Sequence, residues 1–123
     1  MEELKSYTDI EQSKKLAKIL PIESADMYYE CTEKEQEYKI YVGRNAAIIY
    51  NLFSYRNGNV IPCWSLVALF SILPKTVDHE TLFIETSPAL WHIGYRNVYT
   101  ARTDNPIDTC YELVLKLNKL NLL

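Results

Sequence analysis

The chain has little of the composition that would mark a specialised class of protein. Of its 123 residues only 3 are glycine, 3 are cysteine and 2 are histidine. Cys31, Cys63 and Cys110 are odd in number and far apart, so they fit neither a disulfide framework nor a Cys-x-x-Cys metal site. We therefore expect a reducing, cytoplasmic setting with no structural metal and no cofactor.

Two further absences concern charge and long apolar runs. The 13 Lys and Arg residues are fewer than the 16 Asp and Glu residues, which gives a net charge of −3. We expect no binding to duplex nucleic acid, because such binding needs clustered cations. The strongly apolar stretch from Ile61 to Leu73 is shorter than the roughly 20 residues that cross a bilayer, so we expect no membrane segment. The polar start from Met1 to Lys5 predicts no signal peptide.

What is present is an ordinary globular composition, with 48% hydrophobic and 24% charged residues, in a chain of single-domain length. A pattern also occurs twice. Ile19-Leu20-Pro21 closes an amphipathic run and precedes a strand pattern, and Ile72-Leu73-Pro74 does the same. We interpret this as two related helix–hairpin or meander units within one domain. The domain is 1–123, the repeats span approximately 8–56 and 60–104, and a C-terminal helix spans 105–121.

Three helices are predicted. The first begins at Thr8, where Thr8-x-x-Glu11 matches a capping box, and ends at Pro21. The last has Asn105 as its cap and Pro106 in the first helical position. Its apolar residues recur at helical spacing and form one stripe: Ile107, Cys110, Leu113, Val114, Leu117 and Leu120.

The middle helix is predicted over Pro62–Leu73 and is apolar all round, which is typical of a helix that is covered on more than one side. Trp64 then lies either in the core or at a subunit interface. The predicted inward stripe is Cys63, Leu66, Val67, Phe70 and Leu73. The predicted core combines this stripe, without Cys63, with residues of the first and last helices. It consists of Leu16, Leu20, Leu66, Val67, Phe70, Leu73, Leu113, Val114 and Leu117.

Segments rich in aromatic and β-branched residues predict the strands. Short turns join them, which favours antiparallel pairing. We therefore predict an α+β fold, with one antiparallel sheet of five or six strands and three helices on one face. The pattern of segment 47–53 fits either a strand or a helix. The predicted strands are Met27–Cys31, Tyr38–Val42, Ala47–Phe53, Leu82–Thr86, Leu90–Tyr95 and Val98–Ala101.

Three segments carry a resemblance: EQSKKLAKILPIESADMYY, IPCWSLVALFSILP and DNPIDTCYELVLKLNKLNLL. They resemble a family of small proteins from gut-dwelling anaerobic bacteria and their phages or mobile elements. The family has no assigned activity. The resemblance covers about half of the 123 residues. It implies a bacterial, cytoplasmic and mobile-element context, and it transfers no catalytic residue to this chain.

Cys63 is the sharpest candidate for chemistry. It follows Pro62 at a predicted helix start, where the helix dipole lowers a thiol's pKa, and it would pair with His79 or His92. The competing interpretation makes Cys63 a small core residue, like Cys110. No spacing requires a metal at His79 or His92, and none is expected.

Paired carboxylates are a weaker candidate. Glu30 and Glu85 occupy equivalent places in the two repeats, so a pseudo-symmetric sheet would allow them to act as acid and base. The alternative is that each is the outward residue of a half-buried strand.

Aromatic strand residues with nearby arginines form a candidate binding surface, because such residues anchor protein partners and stack the bases of single strands. The plainer alternative is that half of them pack under the helices. The candidates are Tyr28, Tyr38, Tyr55, Trp91, Tyr95 and Arg96.

Three functions follow from these patterns. The leading hypothesis is a non-enzymatic protein-interaction module or accessory protein of a bacterial cell or mobile element, with a second copy or another protein as partner. The alternative is a small thiol or acid/base enzyme that uses Cys63 with His79 or His92. The third is a single-stranded nucleic-acid binder.

Overall fold

The structure is a computed structural model that describes residues 5–31, 37–43 and 60–123. It divides into two compact units. The N-terminal unit is Tyr7–Ala68, and the C-terminal unit is Leu69–Leu123 with the N-terminal residues through Ser6. The single domain and the internal repeat stay predictions. The elements are α1 (Ile10–Leu16), a 3₁₀ turn (Ile22–Ser24), β1 (Met27–Cys31), β2 (Tyr38–Val42), β3 (Val60–Cys63), α2 (Leu66–Ile72), β4 (Thr76–Val77), β5 (Glu80–Thr86), β6 (Trp91–Tyr95), β7 (Tyr99–Thr103) and α3 (Pro106–Lys119).

The α+β class and the antiparallel pairing are confirmed, but the single sheet of five or six strands is wrong. The strands form a three-stranded sheet in the order β2-β1-β3 and a four-stranded sheet in the order β4-β5-β6-β7. All pairs within them are antiparallel. The prediction failed because β3 pairs with β1 across a long stretch of sequence, and local patterns carry no signal for such pairing.

The N-terminal unit contains the first sheet. β1 and β2 have the predicted bounds, since their aromatic and aliphatic residues form continuous strand patterns. β3 was not predicted, because its last two residues, Pro62 and Cys63, fall within the predicted middle helix. Pro62 fits a strand there because β3 is an edge strand, and an edge position tolerates a residue without an N–H.

The first helix begins one residue later than expected. Asp9 is the N-cap of α1, and its side chain accepts a hydrogen bond from the backbone N–H of Gln12. In return, the Asp9 backbone N–H donates to the side-chain oxygen of Gln12. Thr8 is not the cap because its hydroxyl is used elsewhere. It lies 2.8 Å from the Ser13 hydroxyl and accepts from the Trp64 backbone N–H at 3.2 Å.

The middle helix is shorter than predicted, and its buried side differs. α2 begins at Leu66 rather than Pro62, and Trp64 precedes it. Trp64 is fully buried and donates its indole N–H to Ser24 at 2.9 Å, which favours the core alternative for this residue. On α2, Val67 is 73% exposed and Leu69 is fully buried, so the predicted stripe through Val67 is wrong.

In the C-terminal unit, α3 confirms its predicted start. The Asn105 side chain accepts from the Asp108 N–H at 2.8 Å, and Pro106 is the first helical residue. Five members of the predicted stripe are fully buried, but Leu120 is the C-cap and lies exposed. α3 contacts β6 and β7. The buried stripe is Ile107, Cys110, Leu113, Val114 and Leu117.

The four-stranded sheet has one covered face and one open face. Ile93, Tyr95 and Ala101 are buried on the α3 side, and the Thr103 hydroxyl lies 2.6 Å from that of Thr109 in α3. Because side chains alternate along a strand, the residues between them point to the opposite face. We call this the open face: Thr81, Phe83, Glu85, His92, Gly94, Thr100 and Arg102.

The remaining core predictions are confirmed for three residues and only in part for two others. Leu16, Leu20 and Leu73 are buried as expected, and Leu66 and Phe70 are half-buried. Within the described ranges, no helix has the length and apolar character needed to span a membrane.

Candidate functional site: an open sheet face

A row of three ionisable side chains crosses the open face. In the register of the sheet, Glu85 of β5 lies opposite His92 of β6, and His92 lies opposite Arg102 of β7. Side chains directly opposite on one face are neighbours, with Cβ atoms about 4.5–5.5 Å apart. The fold therefore brings a carboxylate, an imidazole and a guanidinium from three strands into one line.

The acidic end of the row is held by Arg96, which follows β6. The Arg96 guanidinium donates to Glu85 Oε1, and its Cζ atom lies 4.7 Å from the centre of the Phe83 ring. Phe83 in turn meets the His92 ring edge-on at 4.9 Å. Since both partners of the ion pair are well exposed, the pair adds little stability, and its main effect is to position Glu85.

His92 is held in place but is not fully hydrogen-bonded. Its Nδ1 atom lies 3.8 Å from Glu85 Oε2, which is too far for a hydrogen bond. Its Nε2 atom is buried and has no hydrogen-bond partner within the described part of the chain. A buried polar atom without a partner carries a cost of about 1–3 kcal/mol, and such atoms often mark a place where a water or a ligand binds.

A small groove opens between the middle of this row and the β5–β6 turn. Its volume is about 240 Å³, and it is lined by Glu85, Thr86, Ser87, Leu90, His92 and Arg102. The turn that forms one wall is closed by two hydrogen bonds, from the Ser87 N–H to the Leu90 carbonyl at 2.9 Å and from the Leu90 N–H to the Ser87 hydroxyl at 3.3 Å.

Arg102 gives the groove its charge. Its side chain is exposed and makes no hydrogen bond or ion pair with residues 5–31, 37–43 or 60–123. The other charged residue of the lining, Glu85, is compensated by Arg96. The groove therefore presents one uncompensated positive charge, although the chain as a whole carries a net charge of −3.

Gly94 sets the spacing behind this row. A Cβ atom at this position would lie 2.3 Å from the Tyr99 carbonyl oxygen and 2.6 Å from the Thr100 Cα. Only glycine allows β6 and β7 to approach so closely, and this approach sets where Arg102 lies beside His92. Neither this role of Gly94 nor that of Phe83 was predicted from the sequence. The alternation of Phe83 and Glu85 with Leu82 and Ile84 is the signal that was available.

The structure does not support a reactive thiol at Cys63. The residue is fully buried in β3, and its thiol donates to the Thr8 carbonyl at 3.4 Å. Burial raises the pKa of the Cys63 thiol. The expected lowering of the pKa is wrong because Cys63 lies in a strand and not at a helix start. Cys63 belongs to the N-terminal unit, and both candidate histidines belong to the C-terminal unit.

His79 forms part of a turn. It is the second residue of the two-residue connection from β4 to β5, and both Asp78 and His79 have positive φ values of 49° and 70°. Positive φ at both central positions is the geometry of a type I′ hairpin turn. No group of three or more His, Cys, Asp or Glu side chains in a metal-binding arrangement occurs among residues 5–31, 37–43 and 60–123.

Two of the aromatic candidates pack in or against a hydrophobic core. Tyr95 is fully buried, and its hydroxyl donates to the Pro74 carbonyl. Burial raises the pKa of Tyr95 to about 12. Tyr38 is half-buried and packs edge-on against the core residue Tyr29 of the N-terminal unit, with 6.5 Å between ring centres.

The other aromatic candidates are dispersed. Trp91 is half-buried and alternates with His92, so it lies on the covered side of β6. Tyr28 stacks on Tyr41 in the N-terminal unit, with 5.2 Å between ring centres. Tyr55 lies outside the described residues, as does the predicted strand or helix 47–53. Of the six candidates, only Arg96 contributes to the row on the open face.

The paired-carboxylate hypothesis gains no support from the two glutamates. Glu30 lies opposite Lys39 in the first sheet, and Glu85 is paired with Arg96 in the second. Each is the outward residue of a strand that has a cationic neighbour, which is the plainer of the two interpretations.

Comparisons with protein-family models, with curated proteins and with solved structures found no match. The resemblance to small proteins of gut bacteria and their mobile elements stays a prediction.

Proposed function

We propose that this protein is a non-enzymatic interaction module whose open face binds a partner polypeptide. The observation that carries the proposal is Arg102, an exposed guanidinium beside the groove with no partner in the described part of the chain. Arginine is enriched in residues that dominate binding energy, because its planar guanidinium makes several directed hydrogen bonds.

The size of the groove supports binding over catalysis. Pockets that enclose a small-molecule substrate or cofactor span about 300–1,000 Å³, and this groove is smaller, at about 240 Å³. It fits one side chain of a partner. The thiol enzyme is disfavoured by the raised pKa of Cys63, since a nucleophilic cysteine must be a thiolate.

The single-stranded nucleic-acid alternative needs several exposed aromatic rings along one surface. Tyr95 is buried, Tyr38 is half-buried against a core, and Phe83 is covered on one side by Arg96. The open face therefore favours a polypeptide. A bacterial, cytoplasmic setting in a cell or mobile element belongs to the same proposal and rests on the resemblance.

The test is a selection of peptide ligands from a random displayed library against the whole protein. Binding of the enriched peptides is then measured by fluorescence anisotropy for the wild type, for Arg102→Glu and for Lys119→Glu. The control reverses a charge on the last turn of α3. We expect affinity to fall at least about tenfold in Arg102→Glu, since truncating or reversing one hot-spot residue costs more than 1 kcal/mol.

Lys119→Glu should bind the same peptides with unchanged affinity. The proposal is wrong if no peptide is enriched, or if both charge reversals weaken binding equally while circular dichroism shows that both variants are folded.

A further inference from the structure

We infer that the groove beside Arg102 binds the carboxylate of an acidic side chain in the partner polypeptide. The inference rests on the proposed function, because it names what the open face recognises. The charge balance, the dimensions and the hydrogen-bonding capacity of the groove all favour an acidic side chain as its occupant.

The charged residues of the lining leave one positive charge without a partner. Arg102 and Glu85 are the two permanently charged residues of the lining, and Glu85 already accepts from Arg96. The Arg102 guanidinium is thus the one cation of the lining whose donors are unused by the described residues. Guanidinium and carboxylate match in geometry, since two parallel N–H donors face two oxygens.

The lining suits both ends of a Glu or Asp side chain. Leu90 is 41% exposed and offers an apolar surface to the methylene groups, while Arg102 lies at the polar side. A volume of about 240 Å³ is enough for one such side chain.

His92 gives a second, independent reason for a polar occupant. Its imidazole lines the groove, and its Nε2 atom has no partner in the described ranges. Nε2 is covered when the groove is empty, so the imidazole ring has to turn before an oxygen atom of the ligand, or of a water that the ligand holds, supplies that partner. An apolar occupant would leave Nε2 unsatisfied.

A phosphate group fits the same lining less well. Phosphate sites gather several cations or a set of backbone N–H groups at a helix N-terminus, and this groove has one uncompensated cation and a carboxylate on its opposite wall. A dianion is repelled by Glu85 more strongly than a monoanion. We therefore assign the carboxylate of a polypeptide.

The experiment uses two labelled peptides that differ in one residue, acetyl-Gly-Leu-Glu-Leu-Gly-amide and its Gln counterpart. Binding to the full chain is followed by fluorescence anisotropy. We expect the Glu peptide to bind at least about tenfold more tightly than the Gln peptide. Arg102→Gln should abolish this preference, Arg102→Lys should retain part of it, and Lys75→Gln, at an exposed lysine outside the groove lining, should retain all of it.

The inference is overturned if the Glu and Gln peptides bind equally, if Arg102→Gln keeps the preference, or if inorganic phosphate displaces the Glu peptide at a lower concentration than acetate does. The two proposals fail separately. Library peptides that need Arg102 but show no acidic residue overturn the carboxylate alone, whereas a library that yields no ligand overturns the interaction module.

Discussion

At the scale of single residues, burial decides what the cysteines do. Cys63 and Cys110 are fully buried, and Cys31 is partly exposed. Burial raises the pKa of Cys110 from its ordinary 9.0 to about 12 and also raises that of Cys63. Both thiols are therefore structural groups that stay protonated well above neutral pH, and Cys31 should be alkylated first by iodoacetamide.

The raised pKa values predict a loss of stability in alkali. In the unfolded chain both thiols ionise near their ordinary pKa, whereas in the folded protein they keep their protons. The unfolded state therefore binds fewer protons, and the free energy of unfolding falls as pH rises above about 9. We expect a loss of about 1 kcal/mol from Cys110 at pH 10, and Cys63 should add to it in the same direction.

Urea unfolding at pH 8 and at pH 10 measures this loss. Cys110→Ala lowers stability at both pH values because it leaves a cavity, but it should reduce the difference between them. A difference that is unchanged in Cys110→Ala would contradict the assignment of that loss to Cys110.

At the scale of elements, the β6–β7 pair depends on Gly94. Gly94→Ala would force a Cβ atom against the backbone of Tyr99 and Thr100, and backbone cannot move aside as a flexible side chain can. We expect a loss of about 2–4 kcal/mol in the free energy of unfolding. Gly43→Ala is the matched control, because its Cβ would meet only Tyr28 Cε1 at an ordinary 3.7 Å. Thermal denaturation of both variants provides the measurement, and equal losses would contradict the close approach of the strands.

In the β4–β5 hairpin, a substitution by glycine should stabilise the protein, whereas the replacement of Gly94 should destabilise it. His79 has a φ of 70°, which glycine adopts more readily than residues with a Cβ. His79→Gly should therefore raise the free energy of unfolding by about 0.5–1 kcal/mol. His79→Val, with a β-branched side chain at positive φ, should lower it. If valine is tolerated as well as glycine in urea unfolding, the turn does not have this geometry.

At the scale of the whole molecule, local patterns predicted elements better than their assembly. The bounds of β1 and β2 and the start of α3 follow from strand composition and from the Asn105-Pro106 cap. β3 and β4 were missed because they are short and one contains Pro62. The division into two sheets depends on pairing between distant segments, which no local pattern encodes.

The candidate site shows the same limit. Glu85, His92 and Arg96 were each visible as polar residues in strand patterns, but their alignment with Arg102 depends on the register of two hairpins. That register is set by turn lengths and by the close approach at Gly94. The groove was therefore beyond prediction from the sequence alone.

The most direct test of the open face as the binding surface is a map of ¹H–¹⁵N chemical shifts as a selected peptide is added. The amides of Phe83, His92 and Arg102, together with those of the Ser87–Leu90 turn, should shift more than any others. The amides of β1 and β2 should stay in place. Shifts centred on the Tyr28–Tyr41 stack instead, with the open face unchanged, would contradict the account.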